Sequence, residues 1–149
     1  MRKKEIFWIG ALLILGGAYI HFFTHWFEKP EIGIAASIRP NRRAHPPELM
    51  VTFSLNNDYR LTSLKVLPLD GNKFDPLAPP VWQLISDSNS VPLRGFRYGQ
   101  KIGGMKPALN GVRPDPLTPG VNYRLILSTS DAAGSKDFRM PAADESKNE

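Results

Sequence analysis

Leu117-Thr-Pro119-Gly120-Val-Asn-Tyr123-Arg-Leu125-Ile-Leu127 decides the fold of the larger part of this chain. Pro119-Gly120 has the residue order of a type II turn: proline presets φ at the second position, and glycine supplies the positive φ needed at the third. Beyond the turn, Val121, Tyr123, Leu125 and Leu127 alternate with Asn122, Arg124 and Ile126. A period of two sends one row of side chains into a core and the other away from it, so this segment is a half-buried strand entered through a tight turn.

The same grammar recurs on the N-terminal side. Ile32, Ile34, Ala36 and Ile38 alternate with Gly33, Ala35 and Ser37, which predicts a first strand; Arg39 to Pro47, with three prolines, reads as a loop. Val51, Phe53 and Leu55 alternate with Thr52 and Ser54, a second strand, and Asn56-Asn57-Asp58 reads as the turn that ends it. Leu61–Leu69 makes a third strand, closed by the tight-turn signal Asp70-Gly71-Asn72. Val81–Ile85 and Arg94–Tyr98 follow as short strands around the turn Asp87-Ser88-Asn89-Ser90. Gly99 to Pro119 is loop-like, and Asp131-Ala-Ala-Gly134 turns the chain into a last strand near Lys136–Met140. About seven strands in roughly 110 residues, with no sustained helical period and no internal repeat, predict an all-β single sandwich.

The segment Leu117–Leu127 resembles the turn and sixth strand of fibronectin type III domains, where a Leu-x-Pro-Gly-x-x-Tyr sequence places the tyrosine-corner residue. Tyr123 takes that place here. Leu49-x-Val51-x-Phe53 resembles the family's second strand, with Phe53 where the family usually has a core tryptophan, and Ser130–Phe138 resembles its final hairpin. The middle of the chain, Phe74–Pro80 and Gly99–Pro116, is longer and richer in proline than that pattern. The resemblance implies an immunoglobulin/fibronectin-III-like sandwich and a role in binding or spacing.

Ahead of the sandwich, Ile6–Phe27 is a run of about 22 residues without a charged side chain. As a helix it spans roughly 33 Å, enough for a hydrocarbon core of about 30 Å. Residues 1–5 form a basic flank with Arg2, Lys3 and Lys4, which predicts a cytoplasmic N-terminus and an extracytoplasmic domain at 28–140. Trp8 at one end and Tyr19, Trp26 and Phe27 toward the other resemble interfacial anchors. A cleaved signal peptide would carry a small-residue site just after the apolar run. Here the run ends in bulky residues and Ala35-Ala36-Ser37 comes late, so a retained anchor in the cell (inner) membrane is the reading. Residues 141–149 read as a disordered polar tail.

Composition narrows the function classes. There is no cysteine, hence no disulfide, thiolate site, thiol nucleophile or lipoprotein anchor. Of the net charge of +5, residues 1–27 carry +2, and the remaining +3 is too small an excess for a nucleic-acid footprint. The basic cluster Arg39-Pro-Asn-Arg42-Arg43 reads as a solvated loop, or as a contact for anionic headgroups because it follows the membrane exit in sequence.

Motifs for chemistry are sparse. His21 and His25 share a helix face, a spacing that could ligate a metal or haem, but further ligands are lacking apart from His45. Asp70–Asp75 fails the calcium-loop pattern at its fifth and sixth positions. There is no Gly-x-Ser-x-Gly, no phosphate-cradling loop, no paired-carboxylate or Ser/His/Asp set. The expectation is a non-enzyme without metal or cofactor. Trp82, Arg94, Phe96, Arg97 and Tyr98 mix aromatic and basic side chains and form the candidate partner surface. The expected function is a single-pass membrane protein presenting a non-catalytic sandwich as an interaction or accessory subunit of an envelope complex. The alternative is a carbohydrate- or small-ligand-binding module with an aromatic cleft at Trp82, Phe96 and Tyr98.

Overall fold

Helix α1 runs over Lys3–Trp26, and Leu12, Leu13, Ile14 and Leu15 are exposed at four consecutive positions. Successive residues step about 100° around a helix, so the apolar surface covers every face rather than one stripe. Residues Lys3–Phe23 are long and apolar enough to cross a membrane. Tyr19 and Phe23, one turn apart, stack at 4.8 Å. The computed structural model describes residues 2–26, 30–45 and 48–142, so Phe27–Lys29 and most of the expected tail lie outside the described residues, as does the His25 ring. The chain divides into two units, Met1–Pro30 and Glu31–Glu149, a boundary three residues later than the sequence suggested.

Among the described residues the second unit has eight strands: β1 (Ile34–Asn41), β2 (Glu48–Tyr59), β3 (Ser63–Pro68), β4 (Trp82–Ile85), β5 (Leu93–Arg97), β6 (Lys106–Pro107), β7 (Asn122–Ser128) and β8 (Ala133–Arg139). They form two antiparallel sheets, β1-β2-β5 and β6-β4-β3-β7-β8. The period-two residues behave as their alternation demands. Val51, Phe53 and Leu55 of β2 and Tyr123, Leu125 and Leu127 of β7 are buried, together with Leu64 and Val66 of β3.

A chain of rings runs through the core. Phe53 touches Phe96 of its own sheet at 5.3 Å and Phe138 of the other at 5.2 Å. Phe138 lies 5.7 Å from Tyr123, and Phe96 lies 6.1 Å from Trp82, which meets Tyr98 at 5.1 Å. The turn before β7 forms as its residues dictate. Gly120 has φ 79°, and the Val121 amide donates to the Thr118 carbonyl. The buried Tyr123 hydroxyl accepts from the Thr118 amide at 2.8 Å.

Four sequence expectations are corrected. Asn56-Asn57-Asp58 is strand, not turn: Asn56 continues the ladder by donating its amide to Gly33, and its Oδ1 accepts from the Gly33 amide and the Tyr59 hydroxyl. β1 extends through Pro40 to Asn41, because an edge strand tolerates a missing N–H. The last hairpin turns at Thr129–Ala132, where the Thr129 hydroxyl accepts from the Asp131 and Ala132 amides, so β8 begins earlier than expected. Two residues of the long connection, Lys106-Pro107, pair with β4.

The main core does not account for every buried apolar residue around β3. Leu67 and Leu69 point away from the main core yet are buried. The Arg124 guanidinium sits 4.6 Å over the Phe74 ring and holds Asp137, its cross-strand partner, through two hydrogen bonds of 2.6 and 2.9 Å. These bonds from Arg124 hold the Asp137 carboxyl below its ordinary value. A depressed folded value contributes stability above the unfolded value and loses it as pH falls through the folded one. We therefore expect wild type to unfold at higher denaturant than Asp137→Asn near neutral pH, with the gap closing below about pH 4. Titrating both proteins with urea across that range measures it; a gap that persists at low pH would refute the assignment.

Where the chain enters the sandwich it is stitched to both sheets. Ile32 is buried, its amide donates to the Ala133 carbonyl at 2.9 Å, and Glu31 bridges Ala133 in parallel before β1 joins β2. Gly134 makes this crossing possible, since a Cβ there would stand 2.5 Å from the Ile32 carbonyl oxygen and 2.8 Å from its Cβ. Gly134→Ala is expected to destabilise the sandwich by about 1–3 kcal/mol, the usual range for forced overpacking. Urea unfolding followed by circular dichroism reads it, and an unchanged midpoint would show that the crossing yields freely.

Candidate functional site

The five side chains singled out in the sequence do not form one surface. Trp82 and Phe96 are core residues, 4% and 3% exposed, because both sit on the inward rows of β4 and β5. Tyr98 is half-buried. Arg94 and Arg97 are exposed, and Arg94 pairs loosely with Asp58 at 3.6 Å. Phe96, packed between Phe53 and Trp82, offers no open ring face on which a sugar could stack.

Tyr98 instead positions the long connection from Gly99 to Pro116. Its hydroxyl donates to the Asp115 carbonyl at 2.6 Å and lies 3.3 Å from that of Val81. Burial, reinforced by the nearby Asp115 charge, raises its pKa, so the hydroxyl stays protonated and remains a donor. Further bonds fix the connection along the free side of β4: the Asp115 amide donates to Val81, the Ala108 amide to Gln83, and the Ser86 hydroxyl to Gly104. Gln100 caps the β5 edge, its amide donating to the Arg97 carbonyl and its Oε1 accepting from the Arg97 amide. Each outward-pointing group of Arg97 is thereby withheld from strand addition.

Between this connection and β4 lies a cleft of about 950 Å³. Its apolar lining includes Val81, Trp82, Leu84, Ile102, Met105 and Leu109, and Lys101, Arg113 and Asp115 stand around it. Leu109 and Val112, at the tip of the connection, are exposed. The size suits a small apolar molecule. Composition had flagged Gly99–Pro116 as long and proline-rich; that it returns to pair with β4 depends on backbone bonds that no sequence pattern announces.

Other buried polar groups serve the fold. The Ser90 hydroxyl accepts from the Leu61 amide and donates to the Val91 carbonyl, both at 2.8 Å. No buried side-chain nitrogen or oxygen among the described residues is left without a partner, and no three His, Asp or Glu residues there gather as a metal site. His45 is exposed in the β1–β2 connection. Searches of protein-family models, curated proteins and solved structures find no match to this chain.

Proposed function

We propose that this chain is a single-pass membrane protein of the cell (inner) membrane, N-terminus in the cytoplasm, presenting a non-catalytic sandwich outside it as an accessory or interaction subunit of an envelope complex. The observation that carries this reading is a helix apolar on every face, followed after a few residues by a sandwich whose buried polar side chains, among the described residues, all have partners within the fold. Arg2, Lys3 and Lys4 support the orientation.

The sandwich is read as immunoglobulin/fibronectin-III-like. The order β1-β2-β5 corresponds to strands A-B-E of that architecture, and β4-β3-β7-β8 to C′-C-F-G. Tyr123, at the start of the F-like strand with its hydroxyl bonded five residues upstream, supports the same reading as a tyrosine corner. Such domains display surfaces for partners.

Because the chain has no cysteine, a single introduced thiol reports topology without background. With Ser135→Cys, on the exposed side of β8, a membrane-impermeant maleimide is expected to label intact cells. Labelling only after the inner membrane is opened would overturn the orientation, and recovery in the soluble fraction would overturn the anchor.

The cleft beneath the long connection favours a second reading, a module for a small apolar ligand. Replacing Trp8 and Trp26 with Phe leaves Trp82 as the one tryptophan. Saturable quenching or a spectral shift of Trp82 with added laurate would support this reading, and a flat titration would dismiss it.

A further inference from the structure

We propose that the end of the sandwich carrying Arg39, Arg42, Arg43 and Arg97 is a docking surface for an acidic segment of a protein partner. This rests on the accessory-subunit reading and names the surface it would use.

The arginines are brought together by register. Arg39 of β1 stands opposite Met50 of β2, and Arg97 of β5 opposite Thr52. Residues 50 and 52 share the outer face of β2, so Arg39 and Arg97 flank Met50 and Thr52 on one sheet face, with neighbouring Cβ atoms about 5 Å apart. Arg42 and Arg43 follow in the turn that β1 leads into. This end is remote from where the chain enters: Glu31 to Arg39 is eight residues, or about 26 Å of extended strand. Nearness in sequence to the membrane exit is therefore not nearness within the sandwich.

All four arginines are exposed. Among the described residues the ion pairs engage Arg94, Lys106 and Arg124, and none engages these four. Glu48, opposite Asn41 on the same face, leaves a local excess of positive charge. The chemistry favours protein over a bilayer. The cluster is arginine without lysine and surrounds a half-buried methionine, whereas Lys65, Lys73, Lys101, Lys106 and Lys136 lie elsewhere. Arginine and methionine are enriched at protein interfaces and lysine is depleted. The planar guanidinium also matches a carboxylate with two parallel bonds. Beside the arginines the same face carries only short side chains at Ser37, Ala35, Ser54 and Gly95, so a partner backbone can approach the sheet closely.

The test is photo-crosslinking of the full chain in its own cells, with benzoylphenylalanine at Met50 and, in separate proteins, at Leu109 or Ser135. A protein adduct from Met50 is expected, with an acidic crosslinked peptide. It should fall at least about tenfold when Arg39, Arg42, Arg43 and Arg97 become Ser. It should survive when Lys65, Lys73, Lys101 and Lys136 become Ser, with thermal unfolding confirming that both variants fold. Equal loss in the two variants, or lipid adducts alone from Met50, would overturn the surface. Protein adducts from Leu109 or Ser135 only would overturn it and leave the accessory reading standing. No protein adduct from any position would overturn both.

Discussion

Everything in the sandwich is arranged around the contact of Phe53 with rings from both sheets. Phe53 is fully buried, and through Phe96 and Phe138 it joins Trp82, Tyr98 and Tyr123 into one aromatic path across the core. A chain without cysteine has no disulfide cross-link between its sheets, so beyond the connecting backbone this packing must hold them together. Large rings suit the task because each removes much apolar area from water and edge-to-face contacts add to that burial.

The ends of that path also fix the periphery. At one end, the Tyr123 hydroxyl reaches out of the core to the Thr118 amide and sets the turn into β7. At the other, the Tyr98 hydroxyl reaches the Asp115 carbonyl and holds the long connection that walls the cleft. In both cases a ring is anchored by burial while its polar tip organises a loop. The long irregular connection is thus tied to the buried core.

Legibility in the sequence followed the strength of local constraint. Val51-Phe53-Leu55 and Tyr123-Leu125-Leu127 were readable because alternation about a buried face has no other solution, and Pro119-Gly120 because the turn requires those residues. Asn56-Asn57-Asp58 misled, since asparagine favours turns only until another strand supplies partners, as Gly33 does here. Lys106-Pro107 was invisible as strand because two residues carry no period. The candidate surface was half legible. Arg94 and Arg97 are exposed, but composition could not tell that the rings of Trp82 and of Phe96, which stands between the two arginines, belong to the core.

By itself, the sequence determined where the strands with a clear period of two lie, that one helix is apolar around its whole circumference, and that no thiol chemistry exists. Those are local properties: periodicity, run length and residue type act within a few positions. Tertiary structure alone decided that Ile32 is stitched to Ala133 beside Gly134, that Gly99–Pro116 folds back on β4 to leave a cleft, and that Arg97 joins Arg39, Arg42 and Arg43. Each of these depends on register between strands far apart in the chain. Register is set by the summed fit of two faces, and no single stretch of residues encodes it.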